Sequence, residues 1–593
     1  MNGDRWRVIR GGLLCDPSQW PQPIAADLYF CSDRIATAPP EGTPCTVIDA
    51  TGCLVMASGI DLHTHVGGGK VNLARWLLPE SGRWNGSGAW WKESAGHHRL
   101  TSPVPPAWET GRRYLEMGYG VAMEPAVAPC TARQTHLELS DLPHLDTGGY
   151  LVLGNETLLL EQLAGGCSQQ WVDDYVAWMV AAHQCYGVKV VNPGGVSAWK
   201  EGQGSTSLDT PHPRYGVTGR AILIALASAV DRLGLPHPLH LHCNQLGVPG
   251  NIETTLATIA ALEGKRLHLA HVQFHAYGKE GSMGFSSAAD RLVDALQANP
   301  LVTIDVGQVL FGQTVTLSGD LAHQAHHRDL AHPRKTILHR QELQGGCGVL
   351  PFRYRHPSFV HGLQWTVGLE LFLRMPDPSR VFLTTDHPNG APFTTYPHLM
   401  RLLTDLDFRE AAFRTLHPEV QRQSELMQLK RVFSDTDLAA STRWGPAIAL
   451  GLTDRGSLKP GKLADVAVYP IGSNAQETYR EARWVFRRGQ IVYDRGSIPP
   501  PSCAKSAGTQ RSATQPSATQ PLVASIDQVA PALPSWETRW REIYHRTSAS
   551  ERISGDELQE MRSSRWEPVP TAPNTPKGSS SAHAKERQDR NPN

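Results

Sequence analysis

Gly187-Val-Lys-Val-Val191 opens a stretch that decides the fold, because Pro238-Leu-His-Leu-His242 and Leu267-His-Leu-Ala-His271 repeat its character. Each is a short apolar run that carries one or two basic side chains. Between the first two, Ile222, Ala225, Leu226, Ala229, Val230 and Leu233 recur at helical spacing. Gly234 and Pro236 then stop that helix. Residues 252–262 read as the next helix. Strand, helix, strand, helix, strand in this order calls for parallel strands joined by crossover helices. Continued from about residue 55 to about residue 435, the alternation predicts a (β/α)8 barrel with inserted loops rather than an open sheet.

Active sites on barrels form where strands end, from several strands at once. Asp61-Leu-His63-Thr-His65 follows the apolar run Leu54-Val-Met-Ala, so His63 and His65 close the first strand and point to one face. Lys189 lies in a later strand that breaks into Asn192-Pro-Gly-Gly. His242 and His271 close the two strands after it, and Asp386 ends Arg380-Val-Phe-Leu-Thr-Thr. These histidines and the aspartate suffice for two borderline-soft divalent cations, zinc above all. Two close cations need an anionic bridge. A neutral Lys189 amine that captures carbon dioxide as a carbamate would supply one. His240 faces the same way as His242 but one layer deeper, as a packed residue beneath the site. His97, His98, His323, His326, His327 and His332 lack strand placement and read as loop histidines. His275 and Tyr277 read as pocket residues. Gly67 to Gly69, Gly194 and Gly195 permit tight loops over the site without forming a phosphate loop.

The chain has 593 residues, enough for two or three folded units, with 56 basic and 56 acidic side chains in balance. That balance argues against a nucleic-acid or membrane-surface role. The N-terminus lacks a signal-peptide pattern, and nowhere is there an apolar run of membrane-spanning length. The 10 cysteines carry no CxxC pair, which points to a reducing cytoplasm. Residues 1–55 read as short strands and turns, as do residues 436–496, so both chain ends are expected to share one small β-domain around the barrel of residues 56–435. Residues 497–593 read as a low-complexity linker, a short helix with Trp536, Trp540, Ile543 and Tyr544 on one face, and a disordered tail.

The ordered HxH, lysine, two histidines and aspartate resemble the amidohydrolase superfamily. Within it, Gly69-Lys-Val-Asn-Leu-Ala-Arg75, Glu124-Pro-Ala, Thr135-His-Leu-Glu-Leu-Ser-Asp-Leu-Pro, Lys189-Val-Val-Asn-Pro-Gly-Gly, His242-Cys-Asn-Gln-Leu-Gly, His271-Val-Gln-Phe-His-Ala-Tyr-Gly, Asp305-Val-Gly-Gln and Asp386-His-Pro are similar to the A subunits of formylmethanofuran dehydrogenases and of formyltransferase/hydrolase complexes. The resemblance covers residues from about 5 to about 495 and implies nothing for the tail.

The resemblance implies hydrolysis, or the reverse condensation, of an N-formylmethanofuran-type cofactor to formate and free amine, within a multi-subunit complex. Asp386 would be both ligand and proton shuttle. Lys70, Asn72, Arg75, Asn192, Asn244 and His275 are candidate substrate contacts, with Arg83 a further candidate for the cofactor's acidic tail. We weigh the bacterial hydrolase complex above the tungsten or molybdenum dehydrogenase. A cyclic-amide hydrolase of the dihydroorotase or hydantoinase kind would share every ligand. A non-catalytic scaffold is the remaining alternative.

Overall fold

A computed structural model describes residues 6–78, 107–142, 144–200, 203, 207–281, 283–318, 330, 332, 339–341, 347–495 and 553–563. Eight strands, Gly59–Asp61, Tyr119–Val127, Asp146–Leu153, Gly187–Val191, Leu239–His242, Leu267–Leu269, Val302–Asp305 and Val381–Phe382, pair in chain order in one sheet. All these pairings are parallel. The ends meet where Thr64 and His387 form a parallel bridge and the His65 N–H donates to the His387 carbonyl at 2.9 Å. A helix follows each strand, from Ala107–Glu116 to Tyr396–Thr404. This is the (β/α)8 barrel that the alternation predicts.

The helix around Ile222 shows why the local sequence folds this way. It spans Gly219–Arg232, and the Thr218 hydroxyl caps it by accepting from the Ala221 N–H. Ile222, Ala225, Leu226, Ala229 and Val230 are buried, and Gly234 leaves the helix at φ +62°. The strand Gly187–Val191 is buried at every position, as a parallel strand covered on both faces must be.

A second sheet combines Trp6–Leu14, Ile24–Cys31, Arg34–Ala36, Cys45–Asp49 and Cys53–Ala57 with Val466–Pro470, Trp484–Arg487 and Gln490–Asp494. Both chain ends thus build one β-domain. Its core includes Phe30, Val55, Val466 and Phe486. Leu54-Val-Met-Ala does not lead into the barrel: Cys53–Ala57 pairs with Val466–Pro470 and Trp6–Leu14 in the β-domain. A strand buried on both faces reads the same in either sheet, so its apolar run could not say which sheet it joins. The barrel begins at Gly59, and His63 and His65 lie just past its first strand.

A helix the sequence reading did not anticipate, Gly555–Ser563, packs against Ala132–Ser140. Ile553 and Leu558 are buried there, the Ile553 N–H donates to the Ala182 carbonyl at 2.9 Å, and Arg133 pairs with Glu557. The expected helix at Trp536–Tyr544 lies outside the described residues, as do Arg83, His97, His98, His323, His326 and His327. No described helix is long and apolar enough to cross a membrane.

Candidate metal centre

At the C-terminal mouth of the barrel, the Nε2 atoms of His63 and His65 stand 3.1 and 3.5 Å from one Asp386 carboxylate oxygen. Ligating atoms of these three residues all lie within 4.8 Å of one another. The same holds for His242, His271 and His275. The His63 and His271 rings, 5.4 Å apart, join the two groups. The strands thus bring together residues more than three hundred positions apart in the chain. His275, read as a pocket residue, stands here among the potential ligands.

Lys189 sits on the barrel strand next to His240 in register and is buried. Burial pushes its amine down to about 8, against the pull of Asp305 and Asp386. Burial also opposes charge on His63, but Asp305 and Asp386 raise its imidazole to about 9. Burial works against ionised Asp386 too, yet His63 and His271 hold it well below the ordinary carboxylate range. His63 is thus pushed toward its charged form, whereas burial pushes Lys189, His242 and His271 toward neutral. The donor set fits a pair of divalent ions: imidazoles, one carboxylate and a His271 Nδ1 that is buried with no hydrogen-bond partner among the described residues.

Three carboxylates behind the histidines were missed as site residues. Asp305, the last residue of its strand, accepts from His63 Nδ1 at 2.8 Å, His268 Nε2 at 3.0 Å, the His271 N–H at 2.9 Å and the Thr384 hydroxyl at 3.0 Å. Glu124 accepts from His65 Nδ1 at 2.8 Å and from the Val66 and Gly67 N–H groups at 2.8 and 3.1 Å. Asp61 accepts from the His63 N–H at 3.1 Å and from the Tyr114 and Tyr396 hydroxyls. Because a carboxylate can only accept, each Nδ1 bonded to one carries a proton, which leaves the Nε2 atoms beside Asp386 as the ones that would turn to a metal. The signal that found His242, a polar residue ending a barrel strand, would also have found Asp305.

The backbone bends sharply at these positions. Asn192, His271 and Asp386 have φ of 42°, 36° and 49°, a left-handed conformation that L-residues hold only under constraint. The bend turns the chain out of its strand while the site side chains stay inside.

The candidate substrate contacts divide. Lys70 is buried and electrostatically coupled to Glu124 and Lys189. Asn192 and Asn244 are buried and bonded to each other at 2.5 Å. Asn72 and Arg75 are not brought to the histidines' hydrogen-bond network: both bond Glu138, and Arg75 also donates to the Val66 carbonyl at 3.1 Å. Glu138 in turn accepts from the Gly68 N–H at 2.8 Å, so this cluster shapes the loop after His65. His240 lies beneath the site, 3.1 Å from His63 Nδ1. His332 lies in a loop, its N–H donating to the Gly247 carbonyl at 2.8 Å.

Residues 46–493 match the family model described as Amidohydrolase family. The chain is 44% identical over 497 residues to the A subunit of the formyltransferase/hydrolase complex Fhc of Methylorubrum extorquens, covering 83% of this chain and 88% of that one. It is 34% identical over 516 residues to protein FwdA of Methanocaldococcus jannaschii, with the same two coverages of 83% and 88%. It is also similar in structure, with TM-score 0.76 and 43% identity over 83% of this chain and 89% of the other, to a chain in the crystal structure of the formyltransferase/hydrolase complex FhcABCD from Methylorubrum extorquens in complex with methylofuran.

Proposed function

The chain belongs to the amidohydrolase family, and from that premise we propose that it is the hydrolytic subunit of a formyltransferase/hydrolase complex, cleaving an N-formylmethanofuran-type cofactor to formate and free amine. The observation that carries the reading is the convergence of His63, His65, His242, His271 and Asp386, with Lys189 coupled to them, in a chain 44% identical to the A subunit of such a complex. Of the two complexes that the sequence resemblance allows, the hydrolase has the stronger support. Its partners would be the remaining subunits and the formylated cofactor.

His63, His65, His242, His271 and Asp386 would hold two divalent ions, zinc by donor preference. Such a pair supplies an activated water and polarises the formamide carbonyl. Asp305 and Glu124 fix the His63 and His65 rings, so their Nε2 atoms would reach a metal by loss of a proton and without turning the rings. Lys189, its amine lowered to about 8, is neutral often enough near pH 7 to attack carbon dioxide. The nitrogen gains a carboxylate and loses one proton to solvent, leaving an anion to bridge the site. Asp386 stays ionised, so an Oδ atom can take the proton of the attacking water and return it to the departing amine nitrogen. Lys70, buried beside Glu124, is a candidate contact for an acidic substrate group. Thiols such as Cys15, Cys53, Cys185 and Cys243, none in a disulfide, fit a reducing compartment such as the cytoplasm.

The test is the complex purified with its native partners and supplied with N-formylmethanofuran or its bacterial analogue, dihydroorotate and a hydantoin in parallel. Formate release from the first alone supports the reading. Turnover of a cyclic amide, or none of the three by a zinc-loaded complex, rejects it.

A further inference from the structure

A row of histidines runs down the barrel axis beneath the metal centre. His237 Nδ1 lies 2.8 Å from the Ala449 carbonyl, and His237 Nε2 lies 3.0 Å from His240 Nδ1. His240 Nε2 is in turn 3.1 Å from His63 Nδ1. All three rings are buried, and Tyr150 stacks on His237 and His240 at 4.6 and 4.7 Å. A carbonyl oxygen can only accept, so the directions of the whole row follow from its far end. His237 carries its proton on Nδ1 and gives it to Ala449. Its bare Nε2 accepts from His240 Nδ1–H. The bare Nε2 of His240 faces the Nδ1–H that His63 shares with Asp305.

We propose that His237 and His240 form a tautomer relay that positions His63 as a metal ligand, with Ala449 at the opposite end of the barrel setting its direction. The relay rests on the reading of His63 as a ligand and goes beyond it. Asp305 alone could orient His63, but His240 Nε2 lies only 4.0 Å from the same Asp305 oxygen. In its other tautomer, His240 would point an N–H at that oxygen and at the His63 Nδ1–H, competing for the one and repelling the other. His237 removes this tautomer by requiring the His240 proton on Nδ1. His237 and His240 touch no reacting atom; they are positioning residues.

Two substitutions at His237 separate the relay from packing. His237→Phe keeps a ring against Tyr150 but has no nitrogen, so His240 is free to turn over. His237→Gln can still donate to Ala449 and accept from His240. The measurement is zinc per full-length chain by mass spectrometry and zinc affinity by chelator competition, with circular dichroism to confirm folding. We expect two ions on the wild type, one of them bound about 10- to 100-fold more weakly in His237→Phe, and His237→Gln close to wild type. His237→Phe with wild-type affinity overturns the relay. So does equal loss in both variants, which would make His237 a packing residue, or a third ion, which His63, His240 and Asp305 could hold. A wild-type chain that binds no zinc instead removes the metal reading on which the relay stands.

Discussion

Gly307 lies directly beneath His271: a Cβ at position 307 would stand 2.4 Å from the His271 Cβ and 2.8 Å from its Cα. It would also come within 3.4 Å of the Asp386 Cβ. Gly307 has φ +64°, which an L side chain adopts only with strain. Gly307→Ala must therefore displace His271, a candidate ligand, by a shift of backbone. We expect a folded protein with a lowered melting temperature and a turnover reduced about 10²-fold or more, since misplacement by about 1 Å is enough for that. Comparison of formate release and circular dichroism for the two proteins checks it; unchanged turnover would show that turnover does not depend on Gly307 holding His271 in place.

Asp386 is read here as both ligand and proton carrier, and Asp386→Asn divides the roles. The amide keeps the shape but cannot take a proton. Turnover is expected to fall about 10²- to 10⁴-fold, with zinc content near that of the wild type because the histidines remain. Near-normal turnover at full zinc content would rule out the proton-carrier role.

Glu124 offers only acceptors to four donors: His65 Nδ1, and the N–H groups of Val66, Gly67 and Ala126. In Glu124→Gln one of the two positions must become an NH2, which then faces a donor whichever way the amide turns. His65 loses its fixed ring orientation. Zinc affinity is expected to drop about 10- to 100-fold, and dialysis against a chelator with metal analysis of the retained protein measures it. Equal retention by both proteins would mean that Glu124 does not hold His65.

The barrel was legible because its signals are local: helical spacing from Ile222 to Leu233, β-branched strands, and polar residues where strands end. The composite β-domain was legible from its strand-like runs at both chain ends. Leu54-Val-Met-Ala was ambiguous because complete burial erases the alternation that would distinguish one sheet from another. Glu124 and Asp305 escaped as site residues because their role is set by which histidine nitrogen they meet, a contact made only when distant strands converge. Arg75 shows what the sequence leaves out. Its charge suggests a substrate contact, and the fold adds Glu138 beside it, a partner that no spacing in the chain announces. The helix Gly555–Ser563 has an apolar face too small to stand out from its polar surroundings; what fixes it is the pocket that receives Ile553 and Leu558.

That pocket makes the docked segment testable. Burying Ile553 and Leu558 contributes about 1.5–3 kcal/mol each before the entropy of ordering the segment is subtracted. Ile553→Asp places a charge in an apolar site and should release the segment. Limited proteolysis followed by mass spectrometry should then show faster cleavage within residues 553–563, while the barrel melts within a few degrees of wild type. Equal cleavage rates would show that the contact does not hold the segment in solution.

Asp146 begins the third barrel strand and joins the two folded units, accepting from Arg455 at 2.5 Å and from Arg487 of the β-domain. Burial disfavours its charge, but Arg487 and Arg455 together lower its pKa to about 2 from an ordinary 3.8. A carboxyl depressed in the folded state stabilises it fully above the unfolded value, and that contribution disappears as the pH falls through the folded one. The linkage is worth about 2 kcal/mol, present above about pH 4 and lost toward about pH 2. Asp146→Asn removes this term, leaving a shallower dependence of stability on pH across that window. At neutral pH it removes the buried carboxylate that Arg455 and Arg487 share, at a cost of about 3 kcal/mol. Denaturant melts of both proteins at neutral pH and at several points below pH 4 measure the two effects. Parallel stability curves would show that Asp146 is not an ionised link between barrel and β-domain.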